Sequence, residues 1–137
     1  MQLTQADYKA AIKEKGRRTL WGFCQLLAPD FYQDHRTHLK ILCDSLQALY
    51  EGRIFKDADN QLVIHDAPQV GATKKLMINM PPQHGKSRTL ILFCMWVLGL
   101  DDNQRIITGS YNDTAATDFS KYPRDGIDEV KNVASQI

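Results

Sequence analysis

Gly85, Lys86 and Ser87 stand in succession between an apolar run at 76–80 and a longer apolar run that follows Arg88. A glycine lets the backbone approach an anion closely, a lysine supplies a compact cation, and a serine hydroxyl can ligate a hard divalent ion. This order of residue types suits a loop that holds phosphate. In the register Met80-Pro81-Pro82-Gln83-His84-Gly85-Lys86-Ser87 the second half of a GxxxxGK[ST] pattern is met, and Met80 stands where the first glycine would be. Pro81 and Pro82 have no amide hydrogen, so the amides of Gln83, His84, Gly85, Lys86 and Ser87 are the ones left to surround an anion. The same residues would also serve as a structural turn between a buried strand and a helix, and the pattern alone admits both readings.

Other residues with chemical capacity are read against plainer roles. His84 could act as a base, or only shape the turn. His35 and His38 are three apart and could share a helix face, but no cysteine or carboxylate at ligand spacing completes a metal site. Arg88 and Arg124 could approach phosphate, or form surface ion pairs. Ser110 and Tyr111 end a strand candidate, where ligands are met at the carboxyl edge of a sheet, yet they equally suit a helix cap. Trp21 and Trp96 have apolar neighbours and read as core residues rather than base-stacking platforms.

The elements that would position the loop follow from periodicity. A strand candidate at 74–80, a helix at 86–98 and a second strand candidate at 104–110 make a strand, loop, helix, strand series of about 35 residues. That is the outline of a βαβ unit and predicts a parallel sheet. Upstream, Thr4 and Asp7 have the form of a capping box and predict a helix from Gln5 to Lys15, resuming after Gly16 and ending before Pro29. Leu39, Leu42, Cys43, Leu46, Leu49 and Tyr50 recur at three- and four-residue steps and predict an amphipathic helix that Gly52 stops. Residues 53–75 are polar and turn-rich, with one short strand expected at 62–65. Asn112 or Asp113 offers an N-cap for a further helix that Pro123 interrupts.

A chain of 137 residues with 43% hydrophobic content fits one domain or part of one. Lys+Arg 17 against Asp+Glu 16 leaves a net charge of +1, so any nucleic-acid contact must be local. Lys13, Lys15, Arg17 and Arg18 form a basic cluster that reads as a solvated helix face. Cys24, Cys43 and Cys94 are widely spaced in apolar segments, without a CxxC pair, and read as small core residues in a reducing compartment. The charged N-terminus lacks a signal-peptide apolar region, and the apolar stretch 90–100 is too short to cross a bilayer.

The stretch LMINMPPQHGKSRTLILFCMWVLG resembles the Walker A segment of phage terminase large subunits, whose signature is an apolar strand, two prolines, Arg or Gln, His-Gly-Lys-Ser and a long apolar helix. Upstream, His38, the leucine stripe and Gly52 resemble that family's helical lead-in. Downstream, RIITGSYNDTAATDFSKYPRDGI resembles its strand, Ser-Tyr, helix and trailing arginine, so the likeness covers roughly residues 20–127.

The resemblance implies an α/β fold: a partial P-loop NTPase, with a parallel sheet and flanking helices, preceded by an α-helical N-terminal region. It implies a helical lead-in at 1–55, a linker or loop at 56–74 and an incomplete ATPase core at 75–137. It implies ATP and Mg2+ as cofactors. Gln83, His84, Gly85, Lys86, Ser87 and Arg88 would bind nucleotide, Lys86 would be catalytic and Ser87 would hold magnesium.

The implied activity is ATP hydrolysis that packages double-stranded viral DNA, with the portal protein and the small terminase subunit as partners. It would occur in the cytoplasm of a bacterial host, with no membrane, in a ring homo-oligomer of the full-length protein. Two departures stand out: Gln83 where many members carry arginine, and a GIDEV sequence with only Ile127 before Asp128 and Glu129, too little for a Walker B strand. The Walker B carboxylates and the nuclease domain are therefore expected beyond Ile137. Alternatives are a truncated prophage remnant without hydrolytic activity and an unrelated P-loop ATPase or kinase fragment.

Overall fold

A computed structural model describes residues 4–81 and 84–109. The chain divides into two compact units, Met1–His84 and Gly85–Ile137.

The first unit begins with α1, Gln5–Arg18, and its start is set by the expected capping box. The Thr4 hydroxyl accepts the Asp7 amide hydrogen at 3.2 Å, and the Asp7 carboxylate accepts from the Thr4 amide at 3.0 Å and the Thr4 hydroxyl at 2.7 Å. The helix continues through Gly16 and breaks three residues later at Thr19, whose backbone is extended. Thr19 serves both ends of the corner. Its hydroxyl donates to Lys15 O and accepts from the Gly22 amide at the start of α2, Leu20–Leu27.

Glycines allow the two helices to approach. A Cβ at Gly22 would lie 2.7 Å from Lys15 O, and one at the buried Gly16 would touch Leu26 and Phe23 at 3.4 and 3.6 Å. Gly16 therefore acts as a contact surface for α2 and not as the expected helix interruption.

Helix α3 spans Thr37–Glu51 and ends at Gly52 in the left-handed conformation, φ 73°, as its glycine stop predicts. Its stripe of Leu39, Leu42, Cys43 and Leu46 is buried in the first unit, whose core also includes Leu20, Cys24, Tyr32 and Ile54. Trp21 is buried and meets Tyr32 edge-on, with ring centroids 6.0 Å apart. Buried Gln47 ties α3 to the α1–α2 corner. Its Oε1 accepts from the Leu20 amide at 3.0 Å while its Nε2 donates to Arg18 O and Glu51 Oε1.

After α3 the chain forms a hairpin of β1, Ile54–Lys56, and β2, Leu62–Ile64, paired antiparallel with Phe55 opposite Val63. The connecting turn is held by Asp57, whose Oδ1 accepts from the amides of Asp59 and Gln61, with Asn60 at φ 60°. Strand β2 is the one expected at 62–65; β1 has no counterpart in the sequence reading. The signal was present in Ile54-Phe55 and Leu62-Val63-Ile64, two apolar stretches on either side of Lys56 and a turn-forming Asp-Ala-Asp-Asn-Gln.

The expected parallel P-loop sheet is not observed. The described residues are mainly helical and contain one two-stranded antiparallel sheet. Residues 74–80 and 104–109 have no regular secondary structure, and among the described residues no backbone ladder bond joins 76–80 to another segment. Met77 is 84% exposed and Ile107 97% exposed, whereas parallel strands are covered on both faces. The physical reason lies in composition and partnership. Residues 76–80 include a single β-branched residue, Ile78, and a strand must find its hydrogen bonds on a neighbour, which an apolar pattern cannot guarantee.

A helix closes its own backbone bonds, and the one predicted after the loop is present. In the second unit α4 spans Lys86–Leu100, two residues longer than expected, with Thr89, Leu92, Met95, Trp96 and Val97 buried. No helix among the described residues is long and apolar enough to cross a membrane. Ser110, Tyr111, Asn112, Asp113, Arg124 and the GIDEV segment lie outside the described residues.

Candidate functional site

The candidate site is the first turn of α4 and the glycine before it. Gly85 is the N-cap, in the left-handed conformation at φ 87°, ψ 11°, which β-carbons make costly and glycine adopts readily. Its carbonyl is fixed from within the helix. The Thr89 amide donates to Gly85 O at 2.9 Å and the Thr89 hydroxyl donates to the same oxygen at 2.7 Å. Thr89 itself is fully buried, and Gly85 O accepts both hydrogen bonds. Sequence reading did not single out Thr89; a hydroxyl four residues after the glycine was the available sign.

Because the first intrahelical amide bond is made by Thr89, the amides of Lys86 and Ser87 point out of the helix end without an intrahelical carbonyl. No side chain caps the terminus and no acidic residue occupies the first turn. That turn instead carries Lys86, which is partly buried, and the exposed Ser87 and Arg88. Lys86 thus sits where the helix dipole is already positive, a position that suits an anion. The start of α1 is the internal contrast, since there Asp7 supplies the negative charge and Thr4 the cap.

Ser87 presents a hydroxyl of the type that ligates magnesium beside bound phosphate. Among the described residues no group of three or more His, Cys, Asp and Glu side chains converges on a metal position. Among the described residues, Ser87 would therefore hold magnesium only together with a bound phosphate.

Of the remaining expected site residues, Gln83 lies outside the described residues. His84 is exposed and belongs to the first unit, where its ring meets that of His38 edge-to-face with centroids 6.0 Å apart. The sequence reading treated these two histidines separately. They are far apart in the chain, and no local pattern marks them as neighbours. His35 is exposed on the turn before α3.

No protein family, characterised protein or solved structure was found to match this chain.

Proposed function

We propose that the chain binds the polyphosphate of ATP at the N-terminus of α4 and is the ATP-binding N-terminal part of a phage terminase large subunit, the motor that drives viral DNA into the procapsid. One observation carries the reading: α4 opens on a left-handed glycine followed by Lys86, Ser87 and Arg88, with no capping side chain and no acidic residue in the first turn. Charge and hydrogen-bonding capacity at this helix end are thus arranged for an anion supplied from outside. The sequence resemblance over residues 76–99 names the class of anion.

In this reading Lys86 holds the β- and γ-phosphate oxygens, the amides of Gln83 to Ser87 surround them, and Arg88 adds positive charge at the rim. Ser87 orients magnesium, which when bound offsets charge on the transferring phosphoryl group. His84 shapes the loop before Gly85. The reading places the protein in the cytoplasm of a bacterial host with double-stranded DNA, portal and small-subunit partners.

Titration calorimetry of the full chain with magnesium-ATP tests it. Loss of the lysine contact in Lys86→Ala should weaken binding by about 10- to 100-fold, the equivalent of a charge-assisted hydrogen bond of roughly 1.5–3 kcal/mol. Unchanged affinity in that variant would sink the assignment.

A second reading, nucleotide binding without hydrolysis as in a prophage remnant, is favoured by 76–80 having no backbone ladder partner among the described residues. Phosphoryl transfer to water needs a carboxylate held across from the loop, and among the described residues no strand beside the loop is present to hold one. Sustained ATP turnover by this chain alone would exclude the second reading, and tight binding without turnover would support it.

A further inference from the structure

The two cysteines of the helical unit meet. The Cys43 thiol lies 3.9 Å from Cys24 Sγ, and both residues are completely buried. Cys24 is in α2 and Cys43 in α3, so the sulfurs sit at the junction of these helices. Neither cysteine is in a disulfide.

We propose that Cys24 and Cys43 form a reversible modification site, a thiol pair that a low-molecular-weight disulfide converts into a cystine clamping α2 to α3. A disulfide holds its sulfurs about 2.05 Å apart, so the pair must close by about 1.9 Å, through rotation of the two Cβ–Sγ arms toward each other.

The exchange balances in two steps. One cysteine thiolate attacks a sulfur of the external disulfide, which releases one small thiolate and leaves a mixed disulfide on the protein. The second cysteine thiolate then attacks the protein-bound sulfur and expels the second small thiol. Two protein thiols are oxidised, one external disulfide is reduced to two thiols, and both protein hydrogens leave as protons taken up by the departing thiolates.

Complete burial withholds both sulfurs from reagent while the unit is closed, so the first step waits on α2 lifting from α3, and its rate follows that opening. Once the mixed disulfide forms, reclosure delivers the second thiol directly to it. The cystine then ties positions separated by 19 residues and restricts the unfolded chain more than the folded one. Cys94 lies in the other unit, half-buried, and burial pushes its thiol pKa up, which lowers its thiolate fraction.

The full chain and its Cys94→Ser variant should be incubated with oxidised glutathione near the onset of melting, then unfolded, alkylated and examined by intact mass and peptide mapping. The expected result is loss of two alkylatable thiols and a peptide linking Cys24 to Cys43. The thermal midpoint should rise by roughly 5 °C or more and return on treatment with dithiothreitol. Wild type and Cys94→Ser carry this test, so it does not depend on Cys43→Ser folding. Full alkylation of both thiols, a stable glutathione adduct without the linked peptide, pairing through Cys94, or a lowered midpoint in the linked form would each overturn the proposal.

Discussion

At the scale of single residues, Gly85 and Lys86 play different parts that different measurements separate. Lys86 contributes charge, and its loss should act on nucleotide affinity with little effect on stability, because its side chain is only partly buried. Gly85 contributes backbone conformation. At φ 87° a β-carbon costs about 1–2 kcal/mol, so Gly85→Ala should either lower stability by that amount or shift the cap and weaken nucleotide binding. A Gly85→Ala chain with unaltered melting and unaltered affinity would show that the left-handed cap is dispensable. Gly85, Lys86 and Ser87 were recognisable from type and order alone, because the chemistry of a helix start depends on residues adjacent in the chain. Thr89 fixes the Gly85 carbonyl from the next turn and was overlooked, since attention to the tripeptide hides a partner four residues on.

At the scale of elements, the start of α1 and the α1–α2 corner make separate predictions. Hydrogen bonds from the Thr4 hydroxyl and then the Thr4 amide hold the Asp7 carboxyl below the ordinary aspartate range. Its folded pKa is therefore lower than its unfolded one, and its stabilising effect is present at neutral pH. That effect fades as pH falls below about 4, the unfolded aspartate value, and continues to fade through the lower folded value. The Thr4 amide resonance should shift over this range in the wild type and remain flat in Asp7→Asn.

Gln47 is the stronger structural element. Gln47→Leu would leave the buried Leu20 amide and the Arg18 carbonyl without their partner, at a cost of about 1–3 kcal/mol measured by chemical denaturation. Helix ends were legible because caps are local: Thr4 with Asp7, and Gly52 after the leucine stripe, lie where the sequence reading puts them. Gly16 was misread because its use is tertiary. Glycine weakens a helix in isolation, and only the approach of Leu26 and Phe23 explains its place inside α1.

At the scale of the whole molecule, the first unit has a continuous buried core and the described part of the second is dominated by one helix. Amide hydrogen exchange should therefore be slowest in α3 around Leu42, Cys43 and Leu46, and fast at 76–80 and 104–107, where no backbone ladder exists among the described residues. Slow exchange at 76–80 in the isolated chain would restore the strand that the sequence pattern suggests.

Sequence alone determined the capping box of α1, the glycine stop of α3 and the Gly85-Lys86-Ser87 order at the start of α4, because each depends on residues within a few positions of one another. Tertiary structure alone decided that the apolar run before the loop finds no ladder partner among the described residues, that His38 meets His84, and that Cys24 meets Cys43. A helix satisfies its own backbone, whereas a strand, a ring contact or a thiol pair needs a partner from a distant part of the chain, and no local pattern specifies which one arrives.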